Sequence, residues 1–171
     1  MDKPSRFSPE LRRAGADDLA ALTAIYNHYI ECSPATFDLQ PFEPEQRRPW
    51  LEGYSRHGPY QLWVAESKGR VLGYACSGPF RPKAAYGQTV ETSIYLAPEA
   101  CGQGLGSRLY ERLFGELEGA GVHVAVVAIT VPNEASVALH RRVGFEQVGV
   151  MREVGYKLGR YWDVMWMQRG L

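Results

Sequence analysis

Two stretches carry residue types that could do chemistry. The first is Cys101-Gly102-Gln103-Gly104-Leu105-Gly106-Ser107, which follows a strand-like run and leads straight into a helix-like one. Alternate glycines let the chain bend sharply and keep side chains clear of the amides. The first turn of the next helix adds free N–H groups and the positive end of its dipole. Such a place suits a phosphate or pyrophosphate. The loop has no Gly-Lys-Ser/Thr ending, so it is not a P-loop. Its Gly-x-Gly-x-Gly spacing also differs from the Gly-x-Gly-x-x-Gly of a dinucleotide fold. A coenzyme A pyrophosphate loop and a glycine turn without a ligand both remain open. The second stretch is "TVETSIYL", headed by Glu91. On an unbroken strand Thr89, Glu91, Ser93 and Tyr95 face one way, and Val90, Thr92, Ile94 and Leu96 the other. A carboxylate beside Tyr95, near a ligand cleft, could take a proton directly or through a water. A solvated strand-edge carboxylate is the plain alternative. Just before this strand, "PFRPKAAY" sets out Arg81, Lys83 and Tyr86, a basic loop that is either an anion grip or simply solvated.

These residues need a scaffold, and the apolar periodicity outlines one. "GADDLAALTAIYNHYIECSP" offers Asp17 as an N-cap and places Leu19, Leu22, Ile25, Tyr26 and Tyr29 at helical spacing, up to a stop at Pro34. "PEQRRPWLEGYSRHG" reads as a second, weaker helix. "QLWVAES" and "RVLGYACSGPF" form a hairpin about Lys68-Gly69. After the glycine loop, Leu105, Leu109, Leu113 and Leu117 make one helical stripe, ended by Gly119 and Gly121. "HVAVVAITVP" has the continuous apolar run of a central strand. "NEASVALHRRVGF" is a short helix capped by Asn133. Two strands joined near Leu158-Gly159 close the chain. The order predicts one mixed α/β domain over residues 10–171, with a polar leader at 1–9.

Composition excludes several classes. Of 171 residues, 45% are hydrophobic and 22% charged, and the formal net charge is zero. Broad nucleic-acid or anionic-membrane binding needs a basic surplus, which is missing. The N-terminus has no apolar core, and the longest apolar run, 124–131, is too short to span a bilayer. Cys32, Cys76 and Cys101 are widely spaced and odd in number. They suggest neither a zinc site nor a disulfide framework, and fit free thiols in the cytoplasm.

The glycine loop and the later segment together resemble the GCN5-related N-acetyltransferases, whose pattern Q/R-x-x-G-x-G/A is met from Cys101 to Gly106. Cys101 departs from the usual Gln or Arg. A second pattern, N-x-x-A-x-x-L-Y-x-x-x-G-F, is met by "NEASVALHRRVGF", with Ser136 for Ala and His140 for Tyr. That His points to the phosphinothricin and methionine sulfoximine acetyltransferase branch. "IYNHYIECSPATF", "AYGQTVETSIYLAP" and "GYKLGRYWDV" resemble the branch's segments in order, so the likeness spans residues 10–168.

The resemblance implies a single-domain, strongly twisted mixed sheet with helices on both faces. Its fourth and fifth strands splay to form a cleft for acetyl-CoA, the co-substrate, and no metal is required. The family's fourth strand carries a bulge, which would reverse the facing of residues beyond it. Gly102, Gln103, Gly104, Leu105, Gly106 and Ser107 would hold the pyrophosphate. Ile94, Tyr95, Leu96 and Asn133 would meet the pantetheine arm. Glu91 would be the general base. His140 would protonate the leaving thiolate or help deprotonate the amine. Arg81, Lys83 and Tyr86, walled by Phe37 and Tyr95, would bind the acceptor. Lys83 stands where Arg is usual, which loosens bidentate recognition of an oxyanion. The expected reaction is acetylation of the α-amine of phosphinothricin, methionine sulfoximine or methionine sulfone by a detoxifying homodimer. A peptide N-terminus or polyamine as acceptor, and a non-catalytic CoA-binding module, are the alternatives.

Overall fold

The computed structural model describes residues 9–171. The strands are β1 (Glu10–Arg13), β2 (Leu62–Ser67), β3 (Arg70–Pro79), β4 (Thr89–Leu96), β5 (Val124–Val131), β6 (Glu146–Lys157) and β7 (Arg160–Gly170). The helices are α1 (Leu19–Cys32), α2 (Arg48–Glu52), α3 (Leu105–Leu117) and α4 (Glu134–Arg142). Both hairpin turns expected from the sequence are present. Lys68 and Gly69 have φ of 53° and 75°, and Leu158 and Gly159 have 52° and 76°. Paired positive φ values match the twist of the flanking strands. Of the polar leader expected at 1–9, only Pro9 falls within the described residues; it is buried and its carbonyl accepts from Arg108 Nη2 at 2.9 Å.

One seven-stranded sheet runs in the order β1-β2-β3-β4-β5-β7-β6. All neighbours are antiparallel except β4 and β5. That parallel pair holds only from Thr89–Val124 to Glu91–Val126. Beyond it β5 stays paired with β7, while β4 from Thr92 to Leu96 pairs only with β3. The sheet therefore opens between β4 and β5, as the resemblance implies.

Helices cover both faces. Trp63 of β2 is in register with Ala75 of β3, so those two share a face and Tyr74 takes the other. Arg112 of α3 stacks on Trp63, its guanidinium carbon 4.2 Å from the ring centre. On the opposite face Tyr74 meets Trp50 of α2 and Tyr95 of β4, and Tyr95 meets Tyr26 and Tyr29 of α1. The leucine stripe of α3 is buried throughout, each member at most 1% exposed.

Two local expectations are corrected. Asp18, not Asp17, organises the start of α1. Its carboxylate accepts from the Gly15 amide at 2.8 Å and pairs with Arg12 at 2.7 Å, so it closes a 3-10 turn over Ala16–Asp18 before the helix proper. Arg12 and the Gly15 amide offset the burial of that carboxyl, which stays below the usual aspartate range. The other correction concerns β4. Its pairing with β3 runs from Gly73–Leu96 to Pro79–Val90 with no shift of register. No bulge therefore reverses its side chains, and the alternation read from the sequence holds.

Candidate active site

Two cavities meet on β4. The first, about 490 Å³, is the cleft between the splayed strands. Its walls are β4 from Thr92 to Leu96, β5 from Val127 to Thr130, the start of α3 and one side of α4. Gly102, Gly104, Leu105, Gly106, Ser107, Ile94, Tyr95, Leu96, Asn133 and His140 all line it, so the structure gathers most of the residues expected there. Gln103 is exposed and turns its amide back to donate to the Glu99 carbonyl at 2.7 Å.

The glycines of the loop have different reasons to be glycine. Gly102 and Gly104 have φ of 74° and 75°, and a Cβ on either would meet nothing within 4 Å. Their need is conformational. Gly106 is helical, and a Cβ there would stand 2.9 Å from Leu139 Cδ2. Its need is the close approach of α3 to α4. Gly104 is the N-cap of α3 and offers no side chain to the first-turn amides, and that turn has no acidic residue. Ser107 Oγ is buried and has no partner among the described residues. Free amides, a helix dipole and an unsatisfied hydroxyl at one mouth of a cleft fit a pyrophosphate and the arm attached to it. Asn133 caps α4, its Oδ1 accepting from the Ser136 amide at 3.1 Å. Cys101 lines the cleft with an exposed thiol near the Ala97 carbonyl.

His140 is 1% exposed and both its nitrogens are engaged. Nδ1 lies 2.7 Å from the Ser136 carbonyl and Nε2 lies 2.8 Å from Tyr110 Oη. A carbonyl only accepts, so Nδ1 carries the proton and Nε2 accepts from the tyrosine. Burial lowers the His140 pKa against the opposing pull of the Ser136 carbonyl, which favours the neutral ring.

The second cavity, about 420 Å³, lies on the other side of β4. Glu91, Ser93 and Tyr95 face it along with Tyr26, Asp38, Arg47, Trp50 and Tyr54. Ser93 and Tyr95 also border the cleft, so the two cavities share a wall. Half-buried Glu91 has its pKa raised by desolvation, with Arg81 pulling the other way. A carboxylate that holds its proton more tightly than usual is a better base once ionised. Burial also pushes Tyr26 up, to about 12, so at neutral pH it keeps its proton and donates to Asp38.

The expected acceptor residues are placed less closely. Arg81 comes near enough to Glu91 to act on its charge, and its guanidinium carbon sits 5.1 Å from the Phe80 ring centre. Lys83 and Tyr86 are exposed on the 3-10 turn before β4, with Tyr86 edge-on to Phe80. Neither borders the second cavity. Phe37 does not border it either; its ring covers Gly155 of β6. Tyr26, Asp38, Arg47 and Trp50 were not read as site residues from the sequence. Tyr26 fell into the apolar stripe of α1. Arg47 and Trp50 lie in the segment whose helical pattern was weak, and that weakness was the only signal.

Comparison with known proteins agrees with this geometry. The Acetyltransferase (GNAT) family model matches residues 22–145. A phosphinothricin N-acetyltransferase of Streptomyces coelicolor is 50% identical, over 98% of this chain and 99% of its own length. An L-methionine sulfoximine/L-methionine sulfone acetyltransferase of Pseudomonas paraeruginosa is 39% identical, over 96% of each. The crystal structure of a phosphinothricin acetyltransferase from Sinorhizobium meliloti in complex with AcCoA superposes with a TM-score of 0.91 at 36% identity, covering 96% of this chain and 89% of that one. With the family model over most of its length, these relatives and a superposing fold, the chain belongs to the GNAT family of acetyltransferases.

Proposed function

We propose that this enzyme acetylates the α-amine of small amino acids that carry a second oxyanion-like group, such as phosphinothricin, methionine sulfoximine or methionine sulfone. The observation that carries the reading is the shared wall. An amine in the second cavity reaches a thioester in the cleft across Ser93 and Tyr95, with Glu91 beside it. The relatives' names supply the acceptor class.

Glu91 takes the ammonium proton, directly or through one water. The freed amine bonds to the thioester carbonyl carbon as the carbon–sulfur bond breaks, giving an acetamide and the free thiol of coenzyme A. The β4 edge from Ile94 to Leu96, unpaired towards β5, offers main-chain groups to the pantetheine amides and the carbonyl oxygen. The first turn of α3, from Gly104 to Ser107, anchors the pyrophosphate. His140, with both nitrogens engaged, is better placed to position Tyr110 and α4 than to donate the thiol proton. Arg81, close enough to act on the Glu91 charge, and Lys83 near it in the exposed loop reach towards the acceptor's distal oxyanion from outside the cavity wall.

A homodimer is supported by the edge strand β6, which exposes Val148, Val150, Met151, Val154 and Tyr156 by 42% to 61%. Three free thiols fit a cytoplasmic site. Among the described residues no helix is long and apolar enough to cross a membrane.

Thiol release from acetyl-CoA with a panel of acceptors tests the assignment. Turnover confined to the oxyanion-bearing amino acids supports it. Turnover of only a polyamine or a peptide N-terminus overturns it.

A further inference from the structure

The second cavity holds a buried cation that the sequence did not advertise. Arg47 ends the 3-10 turn Pro44–Arg47 and is 6% exposed. Its guanidinium carbon lies 4.3 Å from the ring centre of Tyr26 and 3.9 Å from that of Trp50. Nη1 donates to the Leu22 carbonyl at 3.2 Å. No carboxylate pairs with it among the described residues. Burying a cation without an anion is costly, and two aromatic faces offset that only in part.

The guanidinium has five N–H donors; one goes to the Leu22 carbonyl, and the buried Tyr74 hydroxyl is within reach of another. None of its nitrogens is a fully buried atom lacking a partner, and Arg47 lines the cavity, so donors beyond those two are left for a ligand there. A rigid planar fork held between two rings and facing a cavity is matched to a carboxylate. The same cavity carries Glu91 and Asp38. One cation with two carboxylates is complementary to a zwitterion, whose ammonium must come to Glu91 and whose carboxylate lies two bonds away.

We propose that Arg47 holds the α-carboxylate of the acceptor, and so makes the site select α-amino acids over simple amines. This rests on the acceptor class proposed above. It leaves the exposed Arg81 and Lys83 for the distal group.

The test pairs each acid with a neutral partner. L-methionine sulfone and its carboxamide, and L-phosphinothricin and its decarboxylated amine, are assayed with wild type, Arg47→Gln and Arg47→Lys. Acetyl-CoA binding and melting temperature check the fold of each variant. Wild type is expected to prefer each acid over its partner by more than tenfold. In Arg47→Gln, kcat/KM for the acids falls about 10- to 150-fold, the worth of a charge-assisted hydrogen bond, while the neutral partners change little. Arg47→Lys recovers part of the preference. Equal losses on acid and neutral partner mean that Arg47 only braces Tyr26 and Trp50, and overturn the proposal. So does a wild type that turns over acid and partner alike, whatever the variants do. A wild type that acetylates none of the four overturns the acceptor class itself, and Arg47's role with it.

Discussion

Gly104 and Gly121 allow a matched experiment on the pyrophosphate loop. Both glycines are left-handed, with φ of 75° and 72°, and at both an added Cβ would meet nothing within 4 Å. Alanine at either position therefore brings strain without a clash. Left-handed backbone costs a non-glycine residue about 1–2 kcal/mol. The loss of unfolded-chain freedom returns about 0.4–1 kcal/mol. The net cost is roughly 1 kcal/mol, or a melting temperature lower by about 2–4 °C for a chain of this size. Both variants should show that drop. They differ in place. Gly104 opens α3 at the cleft, while Gly121 follows the far end of the same helix. At Gly104 the strain relaxes by rotating the amides that converge on the cleft, and the new methyl stands in front of them. Losing one charge-assisted hydrogen bond to a phosphate, about 1.5–3 kcal/mol, weakens acetyl-CoA binding by about 10- to 150-fold. Calorimetric titration of acetyl-CoA into both variants reads this directly. Gly104→Ala should bind at least tenfold more weakly than wild type, and Gly121→Ala as wild type does. Equal affinities in the two variants would refute the assignment of the loop.

Three further outcomes follow from the site. Folding raises the Glu91 pKa above its ordinary 4.5, so the folded chain binds that proton more tightly than the unfolded chain does. This group's contribution to stability is thus present below 4.5 and lost as pH rises through the folded value. Glu91→Gln should melt higher than wild type at pH 7–8, with the gap closing as pH falls through the folded value towards 4.5; a lower melting temperature at pH 8 would contradict the burial argument. His140→Phe leaves the buried Tyr110 hydroxyl without its partner and should cost about 1–3 kcal/mol in urea unfolding, with kcat down less than about tenfold. A hundredfold loss of kcat at unchanged stability would return proton donation to His140. Gly155→Ala would put a methyl inside the Phe37 ring and expel it, at a cost of about 1–3 kcal/mol in urea unfolding, while KM for the acceptor and for acetyl-CoA both stay because Phe37 borders neither cavity. A raised acceptor KM at unchanged stability would return Phe37 to the acceptor wall.

The parts legible in the sequence were those fixed by local rules. Lys68-Gly69 and Leu158-Gly159 announce tight hairpins, Asn133 a cap, and the four leucines of α3 a buried stripe. Glu91 and Tyr95 share a face because alternation along β4 is unbroken. The glycine loop was read as one device, yet Gly106 serves helix packing against Leu139 while Gly102 and Gly104 serve backbone conformation. Asp17 and Asp18 are equally good caps by type, and the ion pair with Arg12 across to β1, together with the Gly15 amide, selects Asp18. The acceptor walls were hidden for a different reason. Arg47 and Trp50 sit on a 3-10 turn and a five-residue helix, too short for periodicity to show a face. Their place in the site arises only when α1, α2 and β4 converge on Tyr26, Tyr74 and Tyr95.

In the proposed reaction Glu91 takes the proton from an acceptor amine lying across the shared wall from the thioester. Single-turnover acetyl transfer to L-methionine sulfone, with acetyl-CoA saturating, measures that step in wild type and Glu91→Gln over pH 6 to 10. If Glu91 is the base, the chemical step is slowed about 10²- to 10⁴-fold in Glu91→Gln at neutral pH and partly recovers at alkaline pH where the free amine is abundant, with acetyl-CoA affinity unchanged. A Glu91→Gln step as fast as wild type at pH 7 would contradict it.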